Sequence, residues 1–272
     1  MLSGVLIHLE KKAVIPIAPE PIVQQDGSKK NDCERNAAIR FLKDFRREHP
    51  HLKVIVTEDG LSSNAPPIQL LQDLDLGFIL GCKPGDPTFL FDFVNASEAL
   101  KAVSHLKITD AKVQHKFRWM NQIALNEANP DCLVNFLEYW ETIGDKTTHW
   151  SWVTHLTLTK KNAIKVMKAG RARWGIENET FNTLKNSNYQ FEHNFGHGIK
   201  NLSVVLALLM VLAFFMDQVQ QITCRLFQKA RERCHFVQKE HWFKMRSYFD
   251  LIKFKNWDAC LGALAGTITL AT

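Results

Sequence analysis

No two cysteines in this chain are spaced as Cys-x2-Cys. The six, Cys33, Cys82, Cys132, Cys224, Cys234 and Cys260, are scattered, which argues against a zinc ribbon. In a chain long enough to build its own core they read as reduced thiols. The opening MLSGVLIHLEKKAV has no basic segment followed by an apolar run and a small-residue cleavage site, so no signal peptide is expected. Nor is there an apolar run of the roughly 20 residues a membrane span needs. The richest, LSVVLALLMVLAFFM at 202–216, has fifteen and is ended by Asp217 and Gln218. A buried helix is expected there, in a cytoplasmic protein without a membrane partner. Internal repeats and low-complexity linkers are also missing.

What is present is an ordinary globular composition with a basic bias. Of 272 residues 46% are apolar and 23% charged, which excludes a disordered chain. The net charge of +6 and pI near 9.0 favour a polyanionic partner. Much of that excess is local: from 219 to 255 nine lysines and arginines face three acidic residues.

Along the chain, GVLIHLEKKAVIPIA reads as two short strands about a polar turn at 10–12, followed by a loop. Asn31 and Glu34 resemble a capping box, opening a helix that Pro50 stops. LKVIVT (52–57) reads as a strand covered on both faces. Asn64, Pro66 and Pro67 start a second helix that Gly77 ends, and GFILGCK (77–83) is another buried strand. KFRWMNQIAL, CLVNFLEYWE and HWSWVTHLTL are β-like. Helices follow at about 160–170 and 173–187. A long apolar helix then begins near Lys200 and runs on into the basic stretch. The pattern is α/β, a mixed sheet with flanking helices. Its expected segments are a first core part (1–86), a β-rich insertion (87–158), a second core part (159–218) and a basic helical region (219–272).

In open α/β sheets chemistry gathers at the carboxyl ends of strands. Asp59 follows such a strand, and Glu177 lies on a helix beyond the β-rich segment. Carboxylates from distant segments can share a hard divalent ion such as Mg²⁺ or Mn²⁺. Two such ions about 4 Å apart can activate a water or a 3′-hydroxyl at a phosphodiester. Arg173 precedes Glu177 by one helical turn, where its planar fork could grip a phosphate.

These segments together resemble the bacterial insertion-sequence transposases with a DDE catalytic domain. VIVTEDGLSSNAP resembles the strand carrying the family's second Asp, at Asp59. RARWGIENETFNTLK matches the Arg-x3-Glu part of its Tyr-x2-Arg-x3-Glu-x6-Lys signature, at Arg173 and Glu177. KNDCERNAAIRFLKDF, FILGCKPGD and EHNFGHGIKNLS also look like one branch of it. The resemblance spans nearly the whole chain. It implies a ribonuclease H-like sheet interrupted by a β insertion, metal ligation by Asp59 and Glu177, and DNA contacts from Arg173, Arg171, Lys185 and His193. It also implies double-stranded DNA as partner, bound by a homodimer.

The signature is incomplete. Its Tyr falls on Gly170 and its Lys on Leu184, with Lys185 one residue late. A helix advances about 100° per residue, so Lys185 is expected to point away from Glu177. The family's first Asp lies on a first, central strand. This chain opens on what correspond to the second and third strands, so that strand and Asp are expected to be absent and the chain truncated. Asp26 and Asp32 come too late to serve. His193 and His197 are expected in a turn, because Gly196 and Gly198 interrupt the segment. Of Trp119, Trp140, Trp150 and Trp152, one could stack on an unpaired base; the alternative is insertion core. Three functions stay open: a strand-cleaving transposase, a non-catalytic DNA-binding remnant, and a membrane-associated helical protein.

Overall fold

The structure, a computed structural model, describes residues 1–22, 33–60, 63–83, 88–196 and 201–268. Asp26, Asn31, Asp32, His197 and Gly198 lie outside these. The chain divides into two compact units, Arg35–Arg173 and the pair of segments Met1–Glu34 and Trp174–Thr272.

The Arg35–Arg173 unit is built on a mixed six-stranded sheet. Strands β1 (Val5–Ile7) and β2 (Val14–Pro16) belong to the other unit, so the sheet begins with β3 (Ile55–Glu58) and β4 (Gly77–Cys82), which run parallel. The rest are β5 (Ser104–Asp110), β6 (Val113–Asn126), β7 (Asn129–Ile143) and β8 (Lys146–Thr154), in the spatial order β3-β4-β8-β7-β6-β5. β8 returns to pair antiparallel with β4. The α/β stretch and the β-rich stretch therefore share one sheet.

Helix α1 (Glu34–Glu48) forms as the spacing requires, burying Ala37, Leu42 and Phe45. Its acidic residue lies in the first turn and its arginines in the last, which suits the helix dipole. Arg46 ties its end to the next element, donating from Nε to Leu74 O and from Nη2 to Asp75 O, each at 2.8 Å. Helix α2 (Ala65–Asp73) starts after Asn64 with proline in its first turn. It ends at Asp73, and Asp75, whose φ is +50°, turns the chain ahead of Gly77.

Two further expectations are corrected. The strand at 52–57 begins only at Ile55 and forms the sheet's edge, with Ile55 exposed. The strand covered on both faces is instead β7, buried continuously from Val134 to Tyr139. The β-rich segment also opens with a helix, α3 (Thr88–Glu98). Helix α4 (Ala163–Arg171) covers one sheet face, packing Val166 and Met167 against Phe117, Trp119, Leu137, Tyr139 and Trp152.

In the second unit β1 (Val5–Ile7) and β2 (Val14–Pro16) form the expected antiparallel hairpin, a two-stranded sheet of their own. A π-helical turn (Ile176–Phe181) leads into α5 (Asn182–Asn186). Helices α6 (Leu202–Thr223), α7 (Arg225–Arg233), α8 (Gln238–Leu251) and α9 (Trp257–Ala265) complete it. One core joins Val14, Leu184, Tyr189, Val211 and Phe214. A second joins Phe227, Met245, Cys260, Leu261 and Leu264.

Helix α6 departs most from expectation. It is 22 residues long, because DQVQQIT continues it, and only 17% of its most apolar stretch is buried. Leu202, Val205, Leu209, Leu212 and Met216 are exposed. Among the described residues it is the one helix long and apolar enough to cross a membrane. Its buried side carries Val211, Phe214 and Asp217, and Gln218 Oε1 accepts the Val14 amide at 3.3 Å.

Candidate functional site

Asp59 is exposed and immediately follows β3, at the carboxyl end of the parallel pair β3–β4. The backbone at this end is close-set. A Cβ on Gly81 would meet Asp59 Cα at 3.6 Å, and one on Gly60 would meet the Lys83 stem at 3.9 Å. Lys83, at the end of the neighbouring strand, thus brings a cation to the turn that carries Asp59. Sequence reasoning passed over it, although FILGCK ends with it.

Glu177 is exposed on the π-helical turn. Two contacts set its direction. Gly175 comes so close to β1 that a Cβ would stand 2.8 Å from Ile7 Cδ1. Thr180 and Leu184 are buried on the inner side. The Asn182 amide donates to the Glu177 carbonyl five residues back, the bond that defines a π turn and admits one extra residue.

By helix geometry that extra residue changes the angle expected between Lys185 and Glu177. In an uninterrupted α-helix eight residues from Glu177 overshoot two turns by about 80°. With one residue taken up by the π turn, the effective separation is seven, which falls back near the starting face. Lys185 is exposed, on the outer side opposite buried Leu184, and its Nζ pairs with Glu192 Oε1 at 3.2 Å. An exposed pair of that kind holds a lysine only weakly.

Arg173 lies in the turn that ends the sheet-bearing unit, ahead of the helix that starts at Trp174. Arg171 is committed to packing. Its guanidinium lies 4.6 Å from the Trp150 ring centroid and Nη1 donates to Glu141 Oε2 at 3.2 Å. The same carboxylate oxygen accepts from the Tyr139 hydroxyl at 2.9 Å. Burial, then Glu141, push the Tyr139 phenol well above its ordinary range. His193 is exposed in an irregular segment against Phe195, ring centroids 4.4 Å apart, and Gly196 turns the chain at φ +73°.

Asp59 belongs to the Arg35–Arg173 unit and Glu177 to the other. Both carboxylates are exposed to water. No group of three His, Cys, Asp or Glu side chains suited to a metal occurs among the described residues. Trp119 and Trp152 are core residues, and Trp150 lies beneath Arg171. Comparison with models of known protein families and with curated proteins finds no match.

Proposed function

We propose that this chain is a ribonuclease H-like transposase of the DDE type, acting on double-stranded DNA as a homodimer with Mg²⁺ or Mn²⁺ bound by Asp59 and Glu177. The observation that carries the reading is the setting of Asp59. It stands exposed at the carboxyl end of a parallel strand, where α/β sheets place their chemistry. Glu177 follows after the β-rich strands, on a helix whose inner side is pinned by Gly175, Thr180 and Leu184.

When bound, the metal would supply an activated oxygen nucleophile and neutralise charge at the phosphodiester. The chain's own residues then have distinct tasks. Asp59 and Glu177 offer hard carboxylate oxygens. Arg173 grips a phosphate with its fork. Lys185, turned toward the Glu177 face by the π turn, adds a cation that its weak pair with Glu192 readily releases.

The test is nicking of supercoiled plasmid in Mg²⁺ and in Mn²⁺. Wild type is expected to nick, and Glu177→Ala and Asp59→Asn to fall at least a hundredfold while melting normally, since both side chains are exposed. Undiminished nicking by Glu177→Ala overturns the site. A second reading rests on the basic bias of residues 219–255. It is a DNA-binding protein of the same lineage without cleavage. Salt-sensitive DNA binding with no nicking in either metal selects it.

A further inference from the structure

The sheet has a bare basic face that the proposed metal site does not use. α4 covers the opposite face. On this one α3 shields only part. Phe91 packs on Phe136, Asn95 accepts from Arg118 Nη1 at 2.9 Å, and Glu98 pairs with His105 at 2.7 Å. Toward the β5–β6 turn the face is open, with Lys107, Thr109, Gln114 and Lys116 exposed. A shallow cleft of about 330 Å³ opens there, lined by Lys107, Gln114, Lys116, Trp140, Thr142 and Thr147 and by no carboxylate.

Lys107 and Lys116 are direct cross-strand partners. Like charges in that arrangement weaken a sheet, so the pair calls for an anion from outside. Lys116 is held in place: its Nζ lies 5.0 Å from the Trp140 ring centroid. Trp140 is stacked in turn on His149, with centroids 4.6 Å and planes 9° apart. The acid nearest the pair on this face, Glu138 of β7, is already taken by Arg118 and His149, and Glu141 alternates to the opposite face, where it pairs with Arg171.

We propose that this face binds the phosphodiester backbone of duplex DNA, with Lys107 and Lys116 meeting neighbouring phosphates. The inference rests on the DNA reading above and adds to it a surface separate from Asp59 and Glu177. Cross-strand side chains are rooted about 5 Å apart, and phosphates of one strand recur about every 3.4 Å of helix axis. Two long lysines can therefore reach two phosphates from one side.

The experiment is binding of the full chain to a random-sequence duplex across a salt series. Removing two phosphate contacts lowers the slope of log affinity against log salt by about 1.8. Lys107→Gln/Lys116→Gln is expected to show that loss, and each single variant about half of it. The comparator Lys160→Gln/Lys161→Gln, with the same charge change ahead of α4, is expected to keep the wild-type slope. An unchanged slope in the first double variant, or equal losses in both, overturns the proposal and leaves the DNA reading standing. Failure of wild type to bind duplex at all removes the DNA reading and this surface with it.

Discussion

Gly170 occupies the position where the signature would place tyrosine, and packing explains the departure. A Cβ there would stand 2.8 Å from Trp152 Cδ1, so the buried indole already fills the space a side chain would need. That exchange was invisible in the sequence, because residues 152 and 170 meet only once β8 and α4 have packed. The strand-end position of Asp59 is legible, since an apolar run stops there at charged residues. Another residue-scale feature went unread: Asp217 ends an apolar run in the sequence, yet in the fold it is buried. It accepts hydrogen bonds from the Tyr189 hydroxyl and from Gln238 Nε2. Burial lifts its carboxyl to about 6. Nearby His241 is fully buried, with neither ring nitrogen partnered among the described residues, and burial followed by Arg231 and Lys244 lowers it to about 4. The two act in opposite directions. The raised Asp217 gives stability that is complete below about pH 4 and lost as pH rises through 6. The depressed His241 gives stability present above about pH 6.5 and lost as pH falls through 4. Asp217→Asn removes the first alone. Chemical denaturation at pH 4 and pH 7 should then show the variant gaining on wild type by roughly 2 kcal/mol between the two. A difference that is flat with pH would mean that Asp217 is not held protonated by the fold.

At the scale of elements, helices and strands with strong periodicity are legible, and their cover is not. α1, β4 and the long β-rich strands lie where their patterns put them. The apolar run of β3 describes the strand's chemistry and not its place in the sheet, and that place is an edge. α6 reads in the sequence as a buried helix, and its outer side is exposed. Hydropathy stops at Asp217, yet the backbone hydrogen bonding continues to Thr223, and coverage of its outer side depends on neighbours that no local window contains. The π turn was hidden for a similar reason: an extra residue in a helix shows only against the core it must keep facing. That core gives a direct test. If the turn holds one surplus residue, deleting exposed Asn178 lets it close as α-helix and keeps Thr180 and Leu184 buried. Deleting Thr183 in α5 rotates everything beyond it by about 100° and should unseat Leu184. Thermal melts are expected to show the Asn178 deletion within about 4 °C of wild type, on the order of 1 kcal/mol for a chain of this size, and the Thr183 deletion well below it. Equal losses would mean that the π turn is a fixed part of the packing and not an absorbed insertion.

At the scale of the whole molecule, composition marked segment ends near 86 and 158, whereas the compact units part at 34/35 and 173/174. Composition reports local propensity; strand partners are chosen across the chain, and β4 finds β8 some 70 residues on. The α/β and β-rich stretches thereby become one sheet with a continuous chain, Arg35–Arg173, and a core of its own. Such a unit can fold alone when its apolar faces are covered from within. Here α4 covers one face, and the buried Glu138 carboxylate on the other is paired with Arg118 and His149. Residues 35–173 expressed alone should melt cooperatively and retain the part of the DNA salt slope that Lys107 and Lys116 supply. They should show no nicking in Mg²⁺ or Mn²⁺, because Glu177 is not among them. Cooperative folding with salt-dependent binding would separate the DNA-holding face from the metal site. Nicking by this excised unit would move the chemistry away from Glu177 altogether.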